Sequence, residues 1–95
     1  MIRTFRFVTQ NAPDAAKLAR DHVVWLLRHA NSPVEEENAR LLVSEVVTNA
    51  HQHTASPLIA LTTVIRPAGL HVEVFDSSRA SLPAPAAVPL EGEGG

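Results

Sequence analysis

Residues 44–54, "SEVVTNAHQHT", place Glu45, Asn49 and His53 at intervals of four. Four residues of helix turn about 400°, so each member drifts about 40° from the last and the three form one slanting stripe. Glu45 and His53 then lie about 12 Å apart along the axis. Leu42, Val46 and Ala50 flank them. A carboxylate beside that much apolar surface costs free energy unless a partner or water meets it, so something should face the stripe. Asn49 offers a neutral oxygen, a suitable ligand for hard Mg²⁺, which favours oxygen donors together with substrate phosphates. Glu45, one turn back, is placed to orient or deprotonate a water or hydroxyl. His53, one turn on, is placed for phosphate contacts. Asp76 closes the run "LHVEVFD" and can accept a hydrogen bond from an exocyclic amine. Such a set would hold a nucleotide across helix and sheet, in a single groove opening toward Asp76. Spacing alone also allows a plainer account, in which Glu45 is a surface acid and Asn49 and His53 satisfy each other. His51 and His53 diverge on a helix, which argues against a His-x-His metal pair.

The elements that must position these residues follow from pattern. Ile2 to Val8 alternates in part, with Phe5 and Phe7 on one face and Arg6 opposite, and predicts a strand. Asp14 to Ala30 reads as a helix after Pro13, with Leu18, His22, Trp25, Leu26 and His29 as its apolar stripe, widened by Ala15, Ala19 and Val23. Trp25 is expected in the core. Ser32, Pro33 and Glu35 read as a capping box that opens a second helix running to His53 or Thr54, with Pro57 barring continuation. Leu41, Leu42, Val43, Val46, Val47 and Ala50 cover most directions of that helix, so burial nearly all round is expected. Leu58–Ile65 and Leu70–Asp76 predict two antiparallel strands about a Pro67–Gly69 turn. Beyond Arg79 the chain is rich in alanine, proline and glycine without a strand or helix period, and reads as a loop or tail. The inventory is a three-stranded sheet with two helices on one face. The apolar second helix and first hairpin strand ask for more neighbours than these elements supply, which suggests an incomplete domain.

Bulk composition narrows the function classes. The chain has 95 residues, 45% hydrophobic and 19% charged, which suits one small globular domain. Cysteine is absent, which excludes disulfides, thiolate metal sites and cysteine nucleophiles. The net charge of −2 has no basic footprint for nucleic acid. No run approaches a membrane span, and "MIRTFRFVTQ" is too short and polar for a signal peptide, so a cytoplasmic location is expected.

The stretch "SEVVTNAHQH" resembles the N-box of the Bergerat-fold, or histidine-kinase-like (GHKL-type), ATPases: Glu, three residues, Asn-Ala, two residues, His. Within that superfamily it is most similar to the anti-sigma-factor serine kinases and the short actinobacterial ATP-binding regulatory proteins, where "LLVSEVVTNA" and a hairpin ending like "VEVFDSS" occur in this order. The resemblance implies an α+β two-layer sandwich, a mixed sheet packed on helices, with residues 1–79 as the N-terminal part of the ATP-binding domain and 80–95 as a lid-like tail. It implies ATP and Mg²⁺ as cofactors. By position, Glu45 matches the catalytic or water-activating glutamate, Asn49 the magnesium-binding asparagine, and Ala50 a residue lining the nucleotide pocket. His53 matches a position near the phosphates, and Asp76 the aspartate that recognises the adenine amino group. The implied reaction moves the ATP γ-phosphate to a serine of an antagonist protein, as a serine/threonine kinase that also sequesters a sigma factor and regulates transcription. A homodimer is a further implication. Two departures stand out. Ser78 replaces a glycine common in the family, and the family's glycine-rich phosphate box and later elements are not matched beyond Gly94 and Gly95. A non-catalytic interaction module, or an inactive fragment of such a domain, is therefore the alternative reading.

Overall fold

The computed structural model describes residues 2–76 and 86–89. The element order is β1 (Arg3–Gln10), α1 (Ala15–His29), α2 (Glu36–His53), β2 (Leu58–Arg66), β3 (Gly69–Asp76) and β4 (Ala86–Pro89). The strands form one sheet in the order β1-β2-β3-β4, and each neighbouring pair is antiparallel. The sheet is therefore antiparallel among the described residues, where a mixed one was expected. The short edge strand β4 falls in the proline-rich stretch that reads as a loop. Four residues are too few for a legible period, and Pro89 at a sheet edge gives up no ladder bond to a further strand.

Both helices lie on one face, α1 over β1 and β2, α2 over β3 and β4, giving a two-layer α+β domain. The pleat decides which side chains meet them. Phe5, Thr63 and Val72 stand side by side across the sheet, as do Phe7, Leu61 and Val74. These rows point into the core with Ile59, Ile65 and Leu70. One row further along, Thr9, Ile59 and Asp76 align, so Asp76 ends β3 on the helix-covered face.

The core side of α1 is Ala15, Ala19, Val23, Leu26 and Leu27, which keeps Leu26 and the small flank of the expected stripe but not its Leu18, Trp25 and His29. Leu18, Trp25 and His29 are exposed, Trp25 by 56%. Small alanines let the helix approach its neighbours closely, and the bulky indole turns outward onto the His29 ring, 3.7 Å away between centroids. The second helix is likewise one-sided. Ala39, Val43, Val46, Val47 and Ala50 are buried, but Leu41 is 61% exposed and Leu42 only half-buried.

The turn between the helices departs from the expected capping box. Asn31 takes the left-handed conformation at φ 52°. Its N–H donates to the Arg28 carbonyl, and Ser32 N–H donates to the Leu27 carbonyl. This is the Schellman ending of α1. The Ser32 hydroxyl accepts from Val34 N–H at 3.2 Å, ahead of α2, and does not cap that helix. Glu35 is the N-cap of α2, its backbone extended. Asn38 donates its amide to the Glu35 carboxylate at 3.0 Å. Val34 and Ala39 are both buried in the core, the placement of a hydrophobic staple around an N-cap.

Candidate functional site

The stripe begins at Glu45 on the side of α2 away from its buried seam. Counting about 100° per residue from Val43, Ala39, Val46, Val47 and Ala50 gather round the core direction, while Glu45 lies about 200° round the helix, Asn49 about 240° and His53 about 280°. Successive members thus descend from the outer face toward the sheet. On the opposite flank α2 meets α1, where Arg20 donates to the Ser44 hydroxyl at 2.9 Å and Arg28 binds Glu36 through two hydrogen bonds of 2.7 and 2.9 Å. The Glu36 carboxyl is held below the usual carboxylate range, chiefly by its hydrogen bond from Arg28, and that pair fastens the end of α1 to the start of α2.

Glu45 is exposed and Asn49 half-buried. Both border a groove of about 370 Å³ along the outer face of α2, with Leu41, Ser44, Thr48 and Gln52 completing its lining. His53 is exposed and is not among the groove's lining residues, because one further step of drift beyond Asn49 carries it round the helix. Ala50 is buried in the core, next to Asn49 in sequence but turned inward. Asp76 borders a different hollow, with Arg6, Val8, Leu58 and Ala60. Ser78, Arg79, Gly94 and Gly95 lie outside the described residues, as does most of the lid-like tail.

What ties Asp76 to α2 is a residue that sequence reasoning passed over. Thr54, the C-cap of α2, donates its hydroxyl to Asp76 Oδ2 at 2.9 Å. Thr54 is itself held. Its N–H reaches the Ala50 carbonyl at 3.0 Å, and its carbonyl accepts from Asn11 Nδ2 at 3.2 Å. Asn11 Nδ2 also donates to the Ser56 carbonyl at 2.7 Å, and Asn11 Oδ1 lies 2.6 Å from His51 Nδ1. The two carbonyls can only accept, so the amide nitrogen must face them. The amide oxygen then faces His51, whose Nδ1 carries the proton. His51 is thereby turned toward the β1–α1 loop, away from His53. An asparagine two residues before Pro13, in a turn-rich stretch, was the available signal, though nothing local says that it reaches 40 residues along the chain.

Chemically, the stripe offers a solvated carboxylate, a half-buried amide and an exposed imidazole on one descending line, and Asp76 is linked to the foot of that line through Thr54. Among the described residues no group of three potential metal ligands comes together. No helix among them is long and apolar enough to cross a membrane. A scan against protein-family models and a search of curated proteins find no match.

Proposed function

We propose that this chain is a regulatory interaction module of the Bergerat type, which holds Mg²⁺-ATP between the descending flank of α2 and Asp76 and acts on a protein partner without itself turning the nucleotide over. The observation that carries this reading is the Thr54–Asp76 hydrogen bond, which anchors the adenine-type acid to the end of the helix bearing Asn49 and His53. Asn49 supplies the neutral oxygen for the metal ion, His53 reaches the phosphates, and Asp76 accepts the exocyclic amine. The non-catalytic part follows from Glu45. It stands in an open groove, exposed to bulk water, whereas electrostatic catalysis is strongest where water is kept out. The partner is a sigma factor or its antagonist, in keeping with the resemblance of the N-box. Exposed Trp25 and Leu41 on the helix layer offer apolar contact area of the kind that anchors protein interfaces.

Calorimetric titration with Mg²⁺-ATP tests the reading. Binding should be measurable at millimolar nucleotide and fall at least tenfold in both Asn49→Ala and Asp76→Asn, as expected for the loss of a metal ligand or a charged hydrogen bond. A folded protein that ignores millimolar ATP contradicts it. A second reading, phosphate transfer to a serine with Glu45 as the base, is favoured by Glu45 and Asn49 sharing one groove. Transfer of labelled γ-phosphate to a partner serine, lost in Glu45→Gln, would select it over binding alone.

A further inference from the structure

Both helices lie on one face of the sheet, and no described element covers the other. An antiparallel sheet can leave one face to water, and such a face is ordinarily polar. Here the central strand β2 turns Leu58, Ala60, Thr62 and Val64 to the open side, without a charge before Arg66 at its end. Val8 on β1 is 52% exposed and Leu58 42%. Near the middle of the face the charges sit on the flanking strands, one sign to each side. Arg6 on β1, Thr62 on β2 and Glu73 on β3 stand in one row. The Arg6 side chain is exposed and makes no ion pair or hydrogen bond among the described residues. Glu73 Oε2 lies 3.5 Å from His71 Nε2, and its side chain is partly exposed. The next row, Val8, Ala60 and Phe75, is apolar. Its small Ala60 floors a hollow of about 250 Å³ with Arg6, Val8 and Leu58 as walls and Asp76 at the rim.

We propose that this open face binds a second copy of the chain about a two-fold axis running along β2. A half-turn about β2 carries β1 of one copy over β3 of the other and leaves each row at its own level. Arg6 then faces Glu73 of the second copy, and Glu73 faces the second copy's Arg6, one contact made twice. Facing sheets lie about 10 Å apart, a gap that an arginine and a glutamate span together. In the next row, Phe75 of the second copy comes down on Val8 and the hollow beside it. A half-turn about an axis across the strands would instead stack each strand on itself and keep Arg6 and Glu73 apart, so the charges select the axis. An apolar centre with charged flanks is the usual anatomy of an interface. Strands about 25 Å long, spaced about 4.8 Å apart, give a face of roughly 400–500 Å². Two such faces bury about 800–1,000 Å², at the lower bound for a specific complex, so the dimer is weak, with a dissociation constant in the micromolar range or above. The contact uses none of Asn49, His53 and Thr54, and it forms with or without nucleotide.

The test is sedimentation equilibrium of the full chain from micromolar to millimolar concentration, with a thermal melt of each variant. The wild-type chain should associate to a dimer and no further. Arg6→Glu and Glu73→Arg each turn two attractions into two repulsions, and each should raise the dissociation constant at least tenfold. An equimolar mixture of the two variants sets opposite charges against each other at both contacts. It should dimerise within about threefold of wild type, and so should the double variant that carries both substitutions. Rescue between two separate chains is an effect that a charge serving only its own fold would not show. Where a single variant melts early, the double variant carries the test. A wild-type chain that stays monomeric at millimolar concentration overturns the proposal and leaves the face to a different protein or a further segment of this chain. A dimer that neither single substitution weakens, or two cooperatively melting variants that fail to associate when mixed, overturns it as well.

Discussion

His22 stacks on Phe7 with ring centroids 4.5 Å apart, and its Nε2 is buried without a hydrogen-bond partner among the described residues. Burial disfavours the charged ring and pushes its pKa below the ordinary imidazole value. The unfolded chain therefore takes up the His22 proton more readily than the folded one, so the unfolded state binds more protons and stability falls with acid. His22 contributes stability that is present above the unfolded value of about 6.5 and is lost as pH drops through the lower folded value. The expected outcome is a melting temperature that declines from neutral toward acid pH, and a shallower decline in His22→Phe, which keeps an aromatic stack without a titrating nitrogen. Parallel melting curves against pH for the two proteins would show that the decline comes from other groups. At this same scale the sequence was informative about which polar residues share a helix face, since Glu45, Asn49 and His53 need only the helical period. It was silent about Asn11 and Thr54, whose partners lie 40 and 22 positions away and follow from no local rule.

The turn between α1 and α2 carries the clearest difference between pattern and structure. Ser32, Pro33 and Glu35 have the spacing of a capping box, yet Asn31 reaches the left-handed region first and the Ser32 N–H goes to the end of α1. A β-branched residue pays about 1–2 kcal/mol in that conformation, whereas glycine enters it freely. Asn31→Val should therefore lower the unfolding free energy by about 1–2 kcal/mol, and Asn31→Gly should stay within about 0.5 kcal/mol of wild type, both read from urea melts. Equal stability of the valine variant would mean that the turn relaxes to another conformation. The strands were easier to read than the turn. Leu70, Val72 and Val74 alternate with half-buried His71, Glu73 and Phe75, and the structure keeps that alternation. The phase of α1 was harder. Trp25 and Leu18 have far more apolar surface than alanine, but close packing against the sheet and α2 favours the small face, so the buried seam runs through Ala15, Ala19 and Val23.

For the whole molecule, one layer of helices covers one face of one sheet, and the core lies between them. Burial then separates Leu27, outside the expected stripe of α1, from Trp25, expected in the core. Leu27 is 1% exposed, and Leu27→Ala should cost about 2–5 kcal/mol. Trp25→Ala should cost less than about 1 kcal/mol of stability, because the indole touches little beyond His29 and surface neighbours. Should Trp25 instead anchor a partner, the same variant would weaken the complex while sparing the fold, a separation that a melt and a pull-down on one protein sample would read directly. A single cooperative melt without dye-accessible apolar surface is the outcome expected of a domain that functions on its own. A broad melt with strong dye binding would favour an inactive fragment.

The central claim is that one nucleotide spans from the flank of α2 to the end of β3. A backbone-amide NMR titration of the isotope-labelled chain with Mg²⁺-ATP tests it most directly. Saturable shifts at Asn49, His53, Thr54 and Asp76 with a common dissociation constant are the expected result. Shifts confined to the helix surface around Trp25 and Leu41, or no shifts at millimolar nucleotide, would contradict it.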